Sequence, residues 1–482
     1  MESSSRDLDT PDFDDDLSAA RVEGRPKARA DRDRDSEAVT YTGPAPEVYP
    51  GLISQDRVDP DAVKVLKRLT RHGHTAYLVG GGVRDLLLNR SPKDFDIATS
   101  ARPGEVRRLF RNCRVIGRRF RLAHILFAGG KIIEVATFRK DPRELGGTGE
   151  EGEGESARDT ISPGDDADLL IRQDNTFGDP HEDAIRRDFT INGLFYDLER
   201  EEVIDYIGGV ADLRSGVVRT IGQPDVRFRE DPIRILRAIK FSARLDLGIA
   251  PDVYDAMVDL REELSRSAPP RVLEEILRLL RGGAAQRSIY LAWDVGALAV
   301  VLPELCAYLD DQGKDSDLLW ARLSHIDRMK EEDRLPSDTV LLGALLYGAL
   351  EEAVQGVQNP HEAFEEFFQE MTTRLSLPRR MRDKLRLVFA AQRRLAKGQG
   401  SGIAHRDFYA DACDLFEIRM KARGAKLPEG FREPREAPRE RERESQPSAA
   451  RQESAPAREQ APRESGEPRR RRRGGRRRRP GA

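Results

Sequence analysis

Residues Ala76 to Ile97 read AYLVGGGVRDLLLNRSPKDFDI. The apolar run Ala76–Val79 has the length and residue types of a buried strand. Three glycines, Gly80, Gly81 and Gly82, follow at once, and Val83 to Leu88 reads as a helix. Glycines between a strand and a helix let the backbone approach a phosphate, and the first helical turn presents unpaired N–H groups at the positive end of the dipole. Asp94 and Asp96 stand at i and i+2, which on a strand turns both carboxylates to one face. Adjacent carboxylates repel unless a cation lies between them, and oxygen ligands favour magnesium. A phosphate cradle beside a magnesium site is the apparatus of nucleotidyl transfer. Alone, the turn-like Ser91-Pro92-Lys93-Asp94 would read as a surface turn; the glycines upstream decide against that.

Three further clusters continue this chemistry. The stretch Lys131–Phe138, KIIEVATF, is apolar around Glu134. A lone buried glutamate is costly unless paired or bound to a cation. Glu134 therefore reads as the third carboxylate of a two-ion site, against the alternative of a water-facing residue on an edge strand. In RRDFTIN (Arg186–Asn192), Arg186 and Arg187 suit a bidentate grip on a triphosphate, and equally a salt-bridged helix start. Asp188 and Asn192 suit hydrogen bonds to a ribose or the orientation of an arginine. In REDPIRILR (Arg229–Arg237), Pro232 suits a first helical turn with Asp231 as its N-cap. Asp231, Arg234 and Arg237 recur every three residues and share a face. Adenine presents an N6 donor beside an N1 acceptor, and cytosine presents N4 beside N3. An accepting Asp and a donating Arg thus select A or C over G or U, and no further.

The 482 residues suggest two to four domains. Net charge is −3, but the last fourteen residues, from Arg469, hold nine arginines and no acid; without those nine charges the remainder stands at −12. An acidic body with a basic tail results, and the tail suits RNA phosphates. The three cysteines form no CxxC pair, which speaks against a disulfide framework or zinc site and for reduced thiols in the cytoplasm. The acidic start, MESSSRDLDTPDFDDD, is no signal peptide, and the longest apolar runs are too short for a transmembrane segment. Residues 1–48 are charged and expected to be disordered. Arg121–Phe127 and Lys131–Phe138 read as a β-hairpin around Gly129-Gly130. Residues 141–167 read as a flexible acidic insertion whose glutamates would repel phosphate. Helical periodicity marks 232–243, 272–280, 337–352, 362–375 and 380–396. The all-α half should end near Arg423, with a disordered tail over 424–482.

The motifs LVGGGVRD (Leu78–Asp85), DFD (Asp94–Asp96), EVATFR (Glu134–Arg139), RRDFTIN, IGG (Ile207–Gly209) and REDPIRILRAIKF (Arg229–Phe241) together resemble the class II nucleotidyltransferase family, which holds bacterial poly(A) polymerases and tRNA CCA-adding enzymes. Single pieces are weak; all of them in this order are specific. The stretch FRNCRVIGRRFRLAHI (Phe110–Ile125) and the arginine-rich end look like the poly(A) polymerase branch. The resemblance implies an α+β fold, with a polymerase-β-like nucleotidyltransferase head built on a mixed sheet (49–205). A helical neck with the base-selecting motif (206–265) and an all-α, RNA-binding body (266–423) would follow. It implies Asp94 and Asp96 as catalytic ligands of two Mg2+ ions, with Glu134 as the third carboxylate. Asp188 would be catalytic or recognise the ribose. Gly80, Gly81, Arg84, Arg186, Arg187, Asn192 and Arg237 would bind nucleotide, and Asp231 and Arg234 would template the base. The implied reaction joins AMP from ATP to RNA 3′ ends without a template and releases pyrophosphate, in mRNA processing or decay alongside RNA-decay proteins. CCA or A addition to tRNA is the alternative. The basic run Arg114–Arg121 is a second candidate contact for RNA or nucleotide, with Arg118 and Arg119 equally suited to salt bridges with the acidic body. The insertion and the N-terminal extension depart from the family pattern without touching a motif.

Overall fold

Eight short strands join into one sheet in the computed structural model, which describes residues 45–117, 121–140, 176–311, 316–428 and 431. The expected N-terminal disorder over 1–44, the basic residues Arg118 and Arg119, the acidic insertion and the tail from 432 onward lie outside the described residues. The chain divides into two units, Met1–Glu433 and Pro434–Ala482, and every described residue belongs to the first.

The strands are β1 (Glu47–Pro50), β2 (Ala76–Val79), β3 (Asp96–Thr99), β4 (Cys113–Ile116), β5 (Leu122–Leu126), β6 (Ile132–Thr137), β7 (Phe195–Asp197) and β8 (Glu202–Asp205). They lie in the order β1-β8-β7-β2-β3-β6-β5-β4. Every neighbouring pair is antiparallel except β3 with β6, so the sheet is mixed. The hairpin around Gly129-Gly130 is present, with β5 and β6 joined through a short turn at Ala128–Gly130. Strand alternation sends Leu78, Ile97, Ile133 and Val135 into the main core. Val79, Ala98, Phe138 and Phe195 go to a smaller cluster on the opposite face. The ordered chain starts earlier than position 49: Glu47 and Val48 pair with Asp205 and Ile204, because a backbone ladder orders even a polar strand.

Helices α1 (Pro60–Arg71), α2 (Gly81–Leu87), α3 (Pro103–Leu109), α4 (Pro180–Ile185) and α5 (Gly209–Arg214) accompany this sheet. In α1 the Asp59 carboxylate accepts from the Asp61 and Ala62 N–H groups, Pro60 opens the first turn, and Ala62, Val65, Leu66 and Leu69 bury one stripe. The chain then becomes helical with α6 (Pro224–Glu230), α7 (Ile233–Leu245), α8 (Pro251–Asp259) and α9 (Pro269–Arg281). One small parallel pair, β9 (Val217–Val218) with β10 (Gly248–Ile249), interrupts the helical expectation there.

The remaining helices are α10 (Ala285–Asp294), α11 (Ala297–Val301), α12 (Pro303–Asp310), α13 (Asp317–Glu331), α14 (Asp338–Ala353), α15 (Pro360–Leu375), α16 (Arg379–Ala396) and α17 (Tyr409–Ala422). All five helical stretches read from periodicity are present, in α7, α9, α14, α15 and α16. Order runs slightly past Arg423, since Leu427 and Phe431 pack on the core and Phe431 lies 5.4 Å from the Phe416 ring.

Candidate active site

The glycine turn sits where the sequence placed it. Gly80 follows β2 with φ +69° and ψ −132°, a conformation that side-chain-bearing residues rarely adopt. A Cβ there would stand 3.1 Å from Arg187 Nη1. The turn opens onto a cavity of about 730 Å³. Gly80, Gly81, Arg84, Asp96, Arg187, Asp188, Asn192, Asp231, Arg234 and Arg237 all line it. Asp94, Glu134 and Arg186 are not among its lining residues.

The carboxylates depart from the expected picture in two ways. Asp96 opens β3, but Asp94 is exposed and precedes the strand. The reason lies in the partner: Val79, opposite Asp96, is the last residue of β2, and Gly80 then turns the chain into α2. No ladder remains for Asp94. Glu134 is on an internal strand, which removes the edge-strand alternative, yet its side chain is 46% exposed and meets His124 Nε2 at 3.1 Å across β5. It is therefore not the lone buried glutamate that the apolar pattern suggested.

Register still brings charge together. Ile97 lies opposite Val135 in the parallel pair, which sets Asp96 beside Glu134 one step earlier. Burial, and then the charges of Glu134 and Asp94, push the Asp96 carboxyl up to about 6, with Arg187 opposing. Among the described residues no group of three or more His, Cys, Asp or Glu side chains is arranged as it stands to hold a metal ion. The donor set nevertheless fits a hard divalent cation. Its ligands are all oxygen, their charges repel, and the exposed Glu134 has room to turn.

Behind the cavity, Asp183 on α4 is buried and grips both arginines of the RRDFTIN motif. Its Oδ1 accepts from Arg186 Nη2 at 2.8 Å and its Oδ2 from Arg187 Nη2 at 2.7 Å. The two guanidiniums outweigh burial and lower the Asp183 pKa. Of the pair, only Arg187 reaches the cavity wall. Sequence reading missed Asp183, although its i+3 and i+4 spacing to the arginines was a signal.

Asp188 is saturated. Its Oδ1 accepts from the Phe189 N–H at 2.9 Å and Asn192 Nδ2 at 3.0 Å, and its Oδ2 from Arg237 Nε at 2.7 Å. Burial alone would raise its pKa, but the Arg237 charge and these hydrogen bonds hold it well below the usual carboxylate range. Asp188 is held as an anion whose hydrogen bonds orient Asn192 and Arg237. Arg84, also buried, donates to Asn192 Oδ1 at 2.5 Å and to Asp85 Oδ1 at 2.6 Å. Phe241 collects cations: Arg84, Arg237 and Lys240 lie 5.1, 5.5 and 4.9 Å from its ring centroid. Burial and Arg237 push the Lys240 amine down to about 8, against the pull of Glu275.

Asp231, Arg234 and Arg237 share a face, as their spacing required, but Asp231 is not the N-cap. Its N–H closes α6 on the Arg227 carbonyl, Pro232 takes the N-cap position of α7, and no side chain caps that helix. The Asp231 carboxylate instead accepts from Arg271 Nη2 of α9 at 2.9 Å. Arg234 Nη1 donates to the Arg227 carbonyl and Glu230 Oε2, at 2.8 and 2.9 Å. Helix α9 supplies a further wall through Arg271, Glu274, Glu275 and Arg278. In the sequence these look like ordinary helix-surface ion pairs, and no local pattern reveals what they face.

The sequence matches the family described as Poly A polymerase head domain over residues 76–219. It also matches the Probable RNA and SrmB-binding site of polymerase A over 246–309 and the Polymerase A arginine-rich C-terminus over 352–479. Poly(A) polymerase I of Salmonella typhimurium is 39% identical over 384 residues, 77% of this chain and 80% of that protein. Poly(A) polymerase I of Escherichia coli O157:H7 is 38% identical over 391 residues, 78% and 81% of the two chains. The CCA-adding enzyme of Geobacillus stearothermophilus is 35% identical over 262 residues, 54% of this chain and 57% of that enzyme. Among solved structures, the Bacillus stearothermophilus CCA-adding enzyme in complex with CTP superposes with a TM-score of 0.57 at 25% identity, over 77% of this chain and 80% of that one.

Proposed function

This chain belongs to the bacterial poly(A) polymerase family, and from that premise we propose that its cavity takes ATP and an RNA 3′-hydroxyl and joins them. The protein is a polynucleotide adenylyltransferase: it extends RNA 3′ ends with AMP, needs no nucleic-acid template and releases pyrophosphate. One observation carries the reading. A single cavity is lined on one side by the glycine turn and Asp96, and on another by the Asp231–Arg234–Arg237 face. Phosphate chemistry and base selection thus meet in one space. The greater coverage of poly(A) polymerase I relatives than of a CCA-adding relative favours AMP tails over CCA ends.

Asp94, Asp96 and Glu134 are the residues that would hold divalent magnesium, which when bound supplies a more acidic 3′-hydroxyl and neutralises the triphosphate. The chain's own groups do the rest. Gly80 and Gly81 leave room for the triphosphate against bare backbone. Arg187, set by Asp183, neutralises charge that develops on phosphate. Asp188 stays ionised and fixes Asn192 and Arg237 for the sugar. Asp231 accepts from, and Arg234 donates to, the base edge.

The arginines from Arg469 onward fit RNA phosphates by charge. Cytoplasmic RNA turnover, with decay proteins as partners, is the setting that fits. No helix among the described residues is long and apolar enough to cross a membrane.

The test is incubation with each NTP in turn, on a generic RNA and on a tRNA. Long A tracts on generic RNA support the proposal. Defined C and A additions confined to tRNA ends would replace it with CCA addition.

A further inference from the structure

A second cavity, of about 640 Å³, lies among α14, α15, α16 and α17 and shares no lining residue with the catalytic one. Its size falls within the roughly 300–1,000 Å³ usual for small-molecule sites. Tyr347, Phe364 and Phe389 supply aromatic walls, and the Phe389 ring lies 5.2 Å from Tyr347 and 6.5 Å from Phe364. Arg386, Arg393 and Arg419 supply positive charge, with Glu351 the only acid among the lining residues.

The floor is built in advance. Gln392 is 2% exposed, and its Nε2 donates to the Val388 and Ala412 carbonyls, each at 3.0 Å. Its Oε1 accepts from Arg419 Nη1 at 3.1 Å, and the Arg419 guanidinium stands 3.9 Å over the Tyr347 ring. The Glu351 charge is already shared by Arg419 and Arg423, at 3.5 and 3.7 Å. At the opening the balance is different. Arg393 is exposed, and Arg386 has only the distant Glu365, at 3.8 Å. The buried Nε atoms of Arg386 and Arg419 have no hydrogen-bond partner among the described residues.

We propose that this cavity binds a nucleotide. Its phosphate would pair with Arg386 and Arg393, and its base would lie against the Phe364–Phe389 wall. Aromatic walls accept any base, and arginines accept any phosphate, so the site holds RNA or free nucleotide without reading sequence. Substrate RNA upstream of its 3′ end and free AMP or ATP offer the same chemistry. The site stands apart from the catalytic proposal, because its occupancy is measured without turnover.

The experiment is equilibrium binding to the full chain, without ATP, of a labelled oligo(A) and separately of AMP. The variants are Arg386→Ala/Arg393→Ala together and Ala390→Glu, which adds an anion at an exposed position in the cavity wall. If RNA occupies the site, both variants weaken oligo(A) binding. The double variant then also lowers the slope of log affinity against log salt by roughly 0.7, the share of one phosphate contact. If free nucleotide occupies it, calorimetry with AMP shows two sites in the wild type and one in each variant. Thermal midpoints near wild type show that the variants fold. Unchanged oligo(A) affinity, salt slope and AMP stoichiometry in both variants would overturn the proposal, and would leave the catalytic reading untouched.

Discussion

Arg237 reaches from α7 to the Asp188 carboxylate with two nitrogens, Nε at 2.7 Å and Nη2 at 2.5 Å. This contact joins the RRDFTIN motif to the helix that carries Arg234. It keeps Asp188 ionised and fixes where Arg237 can point into the cavity.

Arg237→Ala leaves the Asp188 carboxylate buried without its main partner. The expected loss is about 3 kcal/mol of unfolding free energy. Because the folded Asp188 pKa is depressed, the stability it brings is fully present above the unfolded value of about 4 and is lost as pH falls through the folded one. Urea unfolding from neutral to acid pH should show that acid limb in the wild type and a flatter one in the variant.

Asp96→Asn should be more stable than wild type in metal-free buffer and inactive. The folded Asp96 pKa of about 6 lies above the unfolded value. The carboxylate therefore costs stability as pH rises from about 4 to about 6, up to roughly 3 kcal/mol, and the cost then stays constant. Melting curves should show the variant ahead at pH 8 and level with wild type near pH 4. AMP incorporation should vanish at every pH.

Arg187 lines the cavity and Arg186 does not, so the pair should separate on mutation. Arg187→Lys keeps the charge but loses the planar fork, and the KM for ATP should rise roughly tenfold. Arg186→Lys should change it much less. Steady-state kinetics with saturating RNA decides.

Asp231→Ala removes the proposed acceptor for the adenine amino group. The ATP kcat/KM should fall by roughly 10–100-fold, about one lost hydrogen bond with its partner left unpaired. GTP and UTP incorporation should move little, so base discrimination narrows. An unchanged ATP preference would remove Asp231 from base selection.

Much of this was legible in the chain because the deciding signals are local. The glycines after Val79 marked a turn from strand to helix, and β2 does end at Val79 with α2 starting at Gly81. Gly129-Gly130 closes the hairpin, and the period of 3.6 located α7, α9 and α14 to α16. What escaped was set by distant partners. Asp94 falls off its strand because β2 ends opposite Asp96. Asp231 gives up the N-cap to Arg271, forty residues away. Glu134 turns toward His124 on the neighbouring strand. Helix α9 shows only i, i+3 and i, i+4 ion pairs in its own sequence, so its place on the cavity wall had no local trace.

We propose that Asp94, Asp96 and Glu134 hold divalent cations against the phosphates of ATP. Crystals soaked with ATP and manganese, measured for anomalous scattering, test it most directly. Peaks are expected within coordination distance of Asp96 and Glu134 and beside the triphosphate. Nucleotide bound along Gly80 and Gly81 with no anomalous signal near those carboxylates would contradict it.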